Sequence, residues 1–166
     1  MTLDAKNFAI AAALLLLAAG SWWLTRAVGP PAPAFDRVVH RLELLEVAPE
    51  LDFLIALTPL SAETRGIVGE KVFAAMKPTA YLVNVARGGV VDEAALVEAL
   101  REGRIAGAGL DVFEHEPLPP DSPLWEMPNV IITGHYAGVT PAYDDRAFEV
   151  FLDNLRRYRA GQPLRN

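Results

Sequence analysis

Three polar residues of complementary type stand out for the chemistry they could share: Arg87, Glu116 and His135. An arginine fork matches a carboxylate through two parallel hydrogen bonds, which lysine does less well. Histidine titrates near neutrality and so serves as a general acid or base. A glutamate on its other ring nitrogen would fix the tautomer and favour the protonated form. Gly88 and Gly89, directly after Arg87, remove two Cβ atoms and let a ligand approach the backbone. Each residue also has a plain reading. An arginine at a strand end is commonly a solvated or paired surface charge, Glu114-His115-Glu116-Pro117 is by composition a polar loop, and His135 suits a satisfied loop histidine. No metal site is expected, because adjacent residues rarely converge on one ion and His40, His115 and His135 lack ligand spacing.

The elements that would position these groups alternate between strand and helix. Leu42 to Val47 reads as a short helix and Phe53 to Leu57 as a strand buried on both faces. Glu70 to Met76 reads as a helix stopped by Pro78, Tyr81 to Val85 as the next strand, and Asp92 as the cap of a helix ended by Gly103. Ile105 to Val112 is a third strand, in which Gly107 and Gly109 imply close backbone approach, and Val130 to Thr133 is a fourth. Thr140 and Pro141 form an N-cap and N1 pair for a last helix, whose Phe148, Phe151 and Leu155 stripe reads as core packing. This alternation predicts an α/β fold with a parallel sheet covered on both faces. Ligands of such sheets bind at the carboxyl ends of the strands. Arg87, Asp111, Glu116 and His135 all fall on that rim.

Composition narrows the function. The 166 residues carry a net charge of −6 with interspersed signs, so no basic stripe could follow a phosphate backbone and nucleic acid is not an expected partner. The chain has no cysteine, which excludes disulfides and a thiol nucleophile. Its length suits one domain. Phe8 to Leu24 is an uncharged apolar run with Trp22 and Trp23 near one end, expected to form a continuous helix outside the sheet. Such a helix reaches about 25 Å against a hydrocarbon core of roughly 30 Å, at the short end of what spans. It reads either as a membrane anchor or as part of a soluble core. As an anchor it would leave the globular part facing the cytoplasm, because Arg26, Arg37 and Arg41 outnumber Lys6 on its near flanks. Trp22 and Trp23 stand where a signal peptide would need small residues. Gly29-Pro30-Pro31-Ala32-Pro33 is a stiff linker. The expected organisation is an apolar segment over residues 1–28, a proline-rich linker over 29–34 and a partial α/β domain over 35–166.

From about Phe35 onward the chain resembles the NAD-binding domain of the D-isomer-specific 2-hydroxyacid dehydrogenases, in particular their glyoxylate/hydroxypyruvate reductase-like members. The runs that carry the resemblance are Pro59 to Gly66 (PLSAETRG), Met76-Lys77-Pro78, Asn84 to Asp92 (NVARGGVVD), Gly109 to Pro117 (GLDVFEHEP) and Pro128 to His135 (PNVIITGH). The resemblance implies a Rossmann-type, doubly wound sheet and reduction of a 2-oxo acid with NAD or NADP. It implies Arg87 on the substrate carboxylate, His135 as proton donor to the carbonyl oxygen, and Glu116 holding His135 protonated. Thr58 and Pro59, Ala86 and Arg87, Asp111, His135 and Gly138 would border the cofactor.

The departures are as informative. The family's Gly-x-Gly-x-x-Gly turn, whose amides hold the pyrophosphate at a helix N-terminus, has no counterpart before these runs, where the only glycines ahead of the linker are Gly20 and Gly29. Leu24-Thr25-Arg26 matches the end of the family's second strand, the substrate domain is absent, and Gly134 replaces a more usual proline. Arg26 points to NADP. The reading adopted from sequence is a truncated or altered D-2-hydroxyacid dehydrogenase with impaired cofactor binding. Alternatives are an active reductase completed by dimerisation or by another chain, and a non-enzymatic, membrane-anchored interaction module.

Overall fold

The structure is a computed structural model that describes residues 37–165. The apolar run Phe8 to Leu24, the linker and Arg26 lie outside the described residues. Among the described residues no helix is long and apolar enough to cross a membrane. The chain divides after His135 into two compact units.

The described part of the first unit begins with a 3-10 turn, Arg41–Glu43. His40 caps it: its ring accepts from the Leu42 amide while the Glu43 carboxylate accepts from the His40 amide. The chain continues into α1 (Leu44–Val47) and a second 3-10 turn, Ala48–Glu50. The single helix expected over Leu42 to Val47 is therefore split by tighter turns on both sides. Next come β1 (Phe53–Ala56) and α2 (Glu70–Ala75), which ends at Met76 because Lys77 precedes Pro78. After β2 (Tyr81–Asn84) follows α3 (Glu93–Arg101), whose cap is Asp92: its carboxylate accepts from the Ala95 amide at 3.0 Å. β3 (Gly107–Leu110) and β4 (Val130–Ile132) complete a four-stranded parallel sheet in the order β1-β2-β3-β4.

The register aligns the strand ends. Ala56 pairs with Asn84, Asn84 with Leu110 and Leu110 with Ile132, so all four strands stop at one level. Leu54, Leu82 and Ala108 point from the same face into a core with Val72, Phe73, Leu96 and Leu100 of the helices. Phe53 and Tyr81, one residue out of phase, point to the opposite face, where they stack at 5.7 Å and remain 43% and 45% exposed; Ile131 is 72% exposed. The expectation of a strand and sheet buried on both faces is thus corrected: among the described residues of this unit the helices pack on one face. Continuous apolar runs do not distinguish the two cases, since either face of a strand can carry Phe, Ile or Val.

Within β3 only Gly107 is crowded, because a Cβ there would lie 2.5 Å from the Asn129 carbonyl oxygen. Gly109 has nothing closer than ordinary contact. A tighter approach occurs at Gly88, where a Cβ would sit 1.9 Å from the carbonyl carbon and oxygen of Phe113 and 2.4 Å from the Glu114 nitrogen. The loop after β2 is thereby pressed against the loop after β3.

The second unit contains α4 (Tyr143–Arg159). It starts later than the Thr140-Pro141 pair suggests: the Thr140 carbonyl accepts from the Tyr143 amide in a preceding turn, and Ala142 takes the cap position without a side-chain bond. Phe148, Phe151 and Leu155 are exposed, not core. A single helix has no second layer inside its own unit against which to bury an apolar stripe.

The Gly88 contact generates a stability test. Gly88→Ala forces backbone against backbone and should cost at least about 3 kcal/mol, the upper end for overpacking. Gly89→Ala meets only side-chain atoms, Arg65 Nη1 at 3.0 Å and Leu60 Cδ2 at 3.3 Å, and should cost clearly less. Urea unfolding midpoints of the two variants check the order; equal midpoints would contradict it.

Candidate functional site

The aligned strand ends place four loops around one open cleft of about 650 Å³, lined among others by Arg65, Arg87, Gly89, Glu116 and His135. Arg87 leaves β2 by way of a fixed bend. Asn84, 1% exposed, accepts from the Ala86 amide at 3.1 Å and donates to the Arg87 carbonyl at 3.2 Å, closing the turn with its side chain. The Arg87 guanidinium donates back to the Ala86 carbonyl at 2.6 Å. That leaves most of its fork unspent.

Glu116 is anchored twice. One carboxylate oxygen accepts from the Phe113 amide at 3.0 Å and the other meets His135 Nδ1 at 2.8 Å. The hydrogen bond from His135 is the largest cause holding the Glu116 carboxyl below the usual carboxylate range, followed by the Phe113 amide, with the His135 and Arg87 charges adding to it. His135 itself adopts φ 64, a left-handed conformation that non-glycine residues rarely take. A second clasp steadies the same loop: the Glu93 amide donates to the Glu114 carboxylate at 3.2 Å, and the Glu114 amide to the Glu93 carboxylate at 3.1 Å.

The other expected positions sit deeper or elsewhere. Thr58 and Asp111, 2% and 4% exposed, lie just past the ends of β1 and β3, and Asp111 accepts a short hydrogen bond from the Thr133 hydroxyl. Pro59 is exposed beside Thr58, and Ala86 is buried with Ala56 and Val90 under the rim. Gly138 belongs to the second unit. The structure therefore brings Arg87, Glu116 and His135 together on one cleft, with Thr58, Ala86 and Asp111 at neighbouring strand ends. Two residues escaped the sequence reading. Asn84 was legible only as a strand residue, although an Asn directly before a turn is a turn-closing signal. Arg65 appeared only as a member of the PLSAETRG run, and nothing in its spacing from Arg87 places them on the same cleft.

Residues 15–137 match the family described as D-isomer specific 2-hydroxyacid dehydrogenase, NAD binding domain. The chain belongs to this family. The dehydrogenase match opens inside the apolar run and closes shortly after His135. Among relatives, glyoxylate reductase of Korarchaeum cryptofilum is 44% identical over 124 residues, covering 75% of this chain and 37% of that protein. Glyoxylate/hydroxypyruvate reductase B of Pectobacterium atrosepticum is 50% identical over 119 residues, covering 70% of this chain and 37% of that protein. The crystal structure of a D-isomer specific 2-hydroxyacid dehydrogenase from Xanthobacter autotrophicus, in complex with NADPH and MES, superposes with a TM-score of 0.76 at 41% identity over 83% of this chain and 57% of that one. The chain thus spans little more than a third of the length of these curated dehydrogenase relatives.

The depressed Glu116 pKa makes a sign-definite prediction. A carboxyl with a lowered folded-state pKa contributes stability that is present above its unfolded value of about 4.5 and is lost as pH falls through the lower folded value. Both partners are partly solvated, with side chains 47% and 36% exposed, so the contribution should stay within about 1 kcal/mol. Glu116→Gln should flatten the acid limb of stability below about pH 4.5 while leaving the neutral plateau lowered by a similar amount. Unchanged slopes in urea melts across that limb would contradict the pair.

Proposed function

We propose that this chain carries the catalytic rim of an NAD(P)-dependent reductase of small 2-oxo acids, with Arg87, Glu116 and His135 as the catalytic residues. The observation that carries the reading is the Glu116 carboxylate bonded to His135 Nδ1 on the cleft that Arg87 also lines. Names borne by relatives, glyoxylate reductase and glyoxylate/hydroxypyruvate reductase, support glyoxylate or hydroxypyruvate as substrate.

The residues fit the nicotinamide end of a dinucleotide. Thr58 and Asp111 are polar side chains buried past the ends of β1 and β3, on either side of β2, on the rim where open α/β sheets take ligands. Thr58, Pro59, Ala86, Arg87, Asp111 and His135 are proposed to border it. NAD or NADP supplies the hydride when bound in reduced form. Two relatives of known structure hold NADPH or NADP, which favours the phosphorylated form.

The protein groups divide the remaining work. Arg87 grips the substrate carboxylate with its fork and sets the angle of the adjacent carbonyl. His135 donates a proton from Nε2 to the carbonyl oxygen as that oxygen gains charge. Glu116 accepts from Nδ1–H, which fixes the tautomer and stabilises imidazolium before the proton leaves. In the reverse direction the same imidazole takes the hydroxyl proton.

The 166 residues contain no Gly-x-Gly-x-x-Gly turn, so the chain alone should hold the pyrophosphate weakly. Fluorescence titration with NADPH should give affinity weaker than micromolar; micromolar binding would overturn the claim of impaired cofactor binding. In whatever assembly of this chain reduces glyoxylate, His135→Asn should lower kcat by roughly 10²–10⁴-fold. Near-normal turnover by that variant would remove His135 from the mechanism.

A further inference from the structure

The cleft holds a second arginine that the proposed reaction does not use. Arg65 ends a turn whose shape is set by a buried hydroxyl: Thr64, 0% exposed, donates to the Pro59 carbonyl at 2.7 Å and accepts from the Ser61 amide at 2.7 Å. The Arg65 amide donates to the Ser61 carbonyl at 3.0 Å. One residue on, the Gly66 amide donates to the Gly89 carbonyl at 2.9 Å, which staples this turn to the loop after Arg87. The Arg65 guanidinium then lies over Gly89, 3.0 Å from where a Cβ would stand. The missing Cβ therefore makes room for this guanidinium.

The charges around it are already committed. Asp92 caps α3, Glu114 accepts from the Glu93 amide, Glu116 holds His135, and Glu63 accepts from the Ser61 hydroxyl at 2.7 Å. Among the described residues neither Arg65 nor Arg87 has an acid within ion-pair distance. Two unpaired guanidinium groups on one cleft repel each other unless an anion lies between them. A ligand with a single carboxylate satisfies one of them.

We propose that Arg65 is a specificity-determining residue that binds a second carboxylate, so that the preferred substrate is a short 2-oxo or 2-hydroxy dicarboxylic acid. The inference deepens the proposed function and rests on its assignment of Arg87 to the first carboxylate. Arg65 is exposed and, among the described residues, its side chain makes no hydrogen bond or ion pair, so its replacement should leave the fold intact.

The test is a binding experiment, which does not require turnover. Full-length chain, ¹⁵N-labelled, is titrated with D-malate and with D-lactate, which differ by one carboxylate, while the amides of Gly66, Gly88 and Gly89 are followed. D-malate should bind at least about tenfold more tightly, in line with one added charge-assisted fork. Arg65→Gln should abolish that advantage without weakening D-lactate, and Arg65→Lys should keep part of it. An advantage that survives Arg65→Gln, equal affinities in the unmodified chain, or no change at those amides with either acid overturns the inference. Arg87→Gln should weaken both acids; if it leaves D-lactate binding untouched, the Arg87 assignment itself falls, an outcome separable from failure of Arg65 alone.

Discussion

The approach of Gly88 to the Phe113–Glu114 peptide is the constraint on which the rest of the site depends. A backbone contact with no space for a methyl group presses the loop after β2 against the loop after β3. Arg87 precedes that contact by one residue and Glu116 follows it by a few, so their separation is set by main chain and not by flexible side chains. The Phe113 amide that donates to Glu116 belongs to the same segment. The Glu93 and Glu114 clasp ties it in turn to the start of α3. The segments that carry Arg87 and Glu116 are thus held together by main-chain contacts, and His135 joins them through its bond to the Glu116 carboxylate, the kind of fixed arrangement that preorganised sites use.

The sheet was largely legible in the sequence and its surroundings were not. Runs such as Phe53 to Leu57, short, continuous and apolar between turn residues, read as strands, and all four strands are present with ends trimmed by one or two residues. Trimming falls at Leu57, Val85, Asp111, Val112 and Thr133, where the chain turns out of the ladder toward the rim, and at Ile105 and Ala106 before β3. The burial of Phe53 was misjudged because an apolar side chain says nothing about whether its face has a covering layer. The same blindness applies to Phe148 and Phe151, whose spacing correctly announced an amphipathic helix but not what stands opposite it. The trio of Arg87, Glu116 and His135 was legible because each follows a strand, and parallel register carries such residues to one edge. Arg65 was not, because its place depends on the Thr64 hydroxyl and the Gly66 to Gly89 hydrogen bond, neither of which has a pattern in sequence spacing.

The charge arrangement in the cleft has a consistent logic. Its carboxylates are engaged inward, on amides or on the imidazole, whereas among the described residues its guanidinium groups are not matched by acids. Such a cleft attracts anions while keeping its own acids from competing for the arginines. Had Glu114 or Glu63 turned to Arg65 or Arg87, the ion pair would have been worth little at this exposure but would have blocked the fork. The Glu93 amide and the Ser61 hydroxyl are better partners for these acids, since they hold the carboxylates in place without neutralising the basic groups that face the ligand.

His135 carries the remaining tension. Its left-handed backbone costs about 1–2 kcal/mol for a residue with a side chain, and such strain persists only where surrounding structure fixes it. Glu116 supplies that fixation, yet it could not do so if its carboxylate were free to swing, because the pair would then relax by moving the acid. The Phe113 amide removes that freedom by holding the second oxygen. The imidazole is therefore positioned by a chain of contacts that runs from Gly88 through Phe113 and Glu116 to Nδ1. Nε2 is left without a protein partner among the described residues, on a ring whose orientation is settled before any ligand arrives.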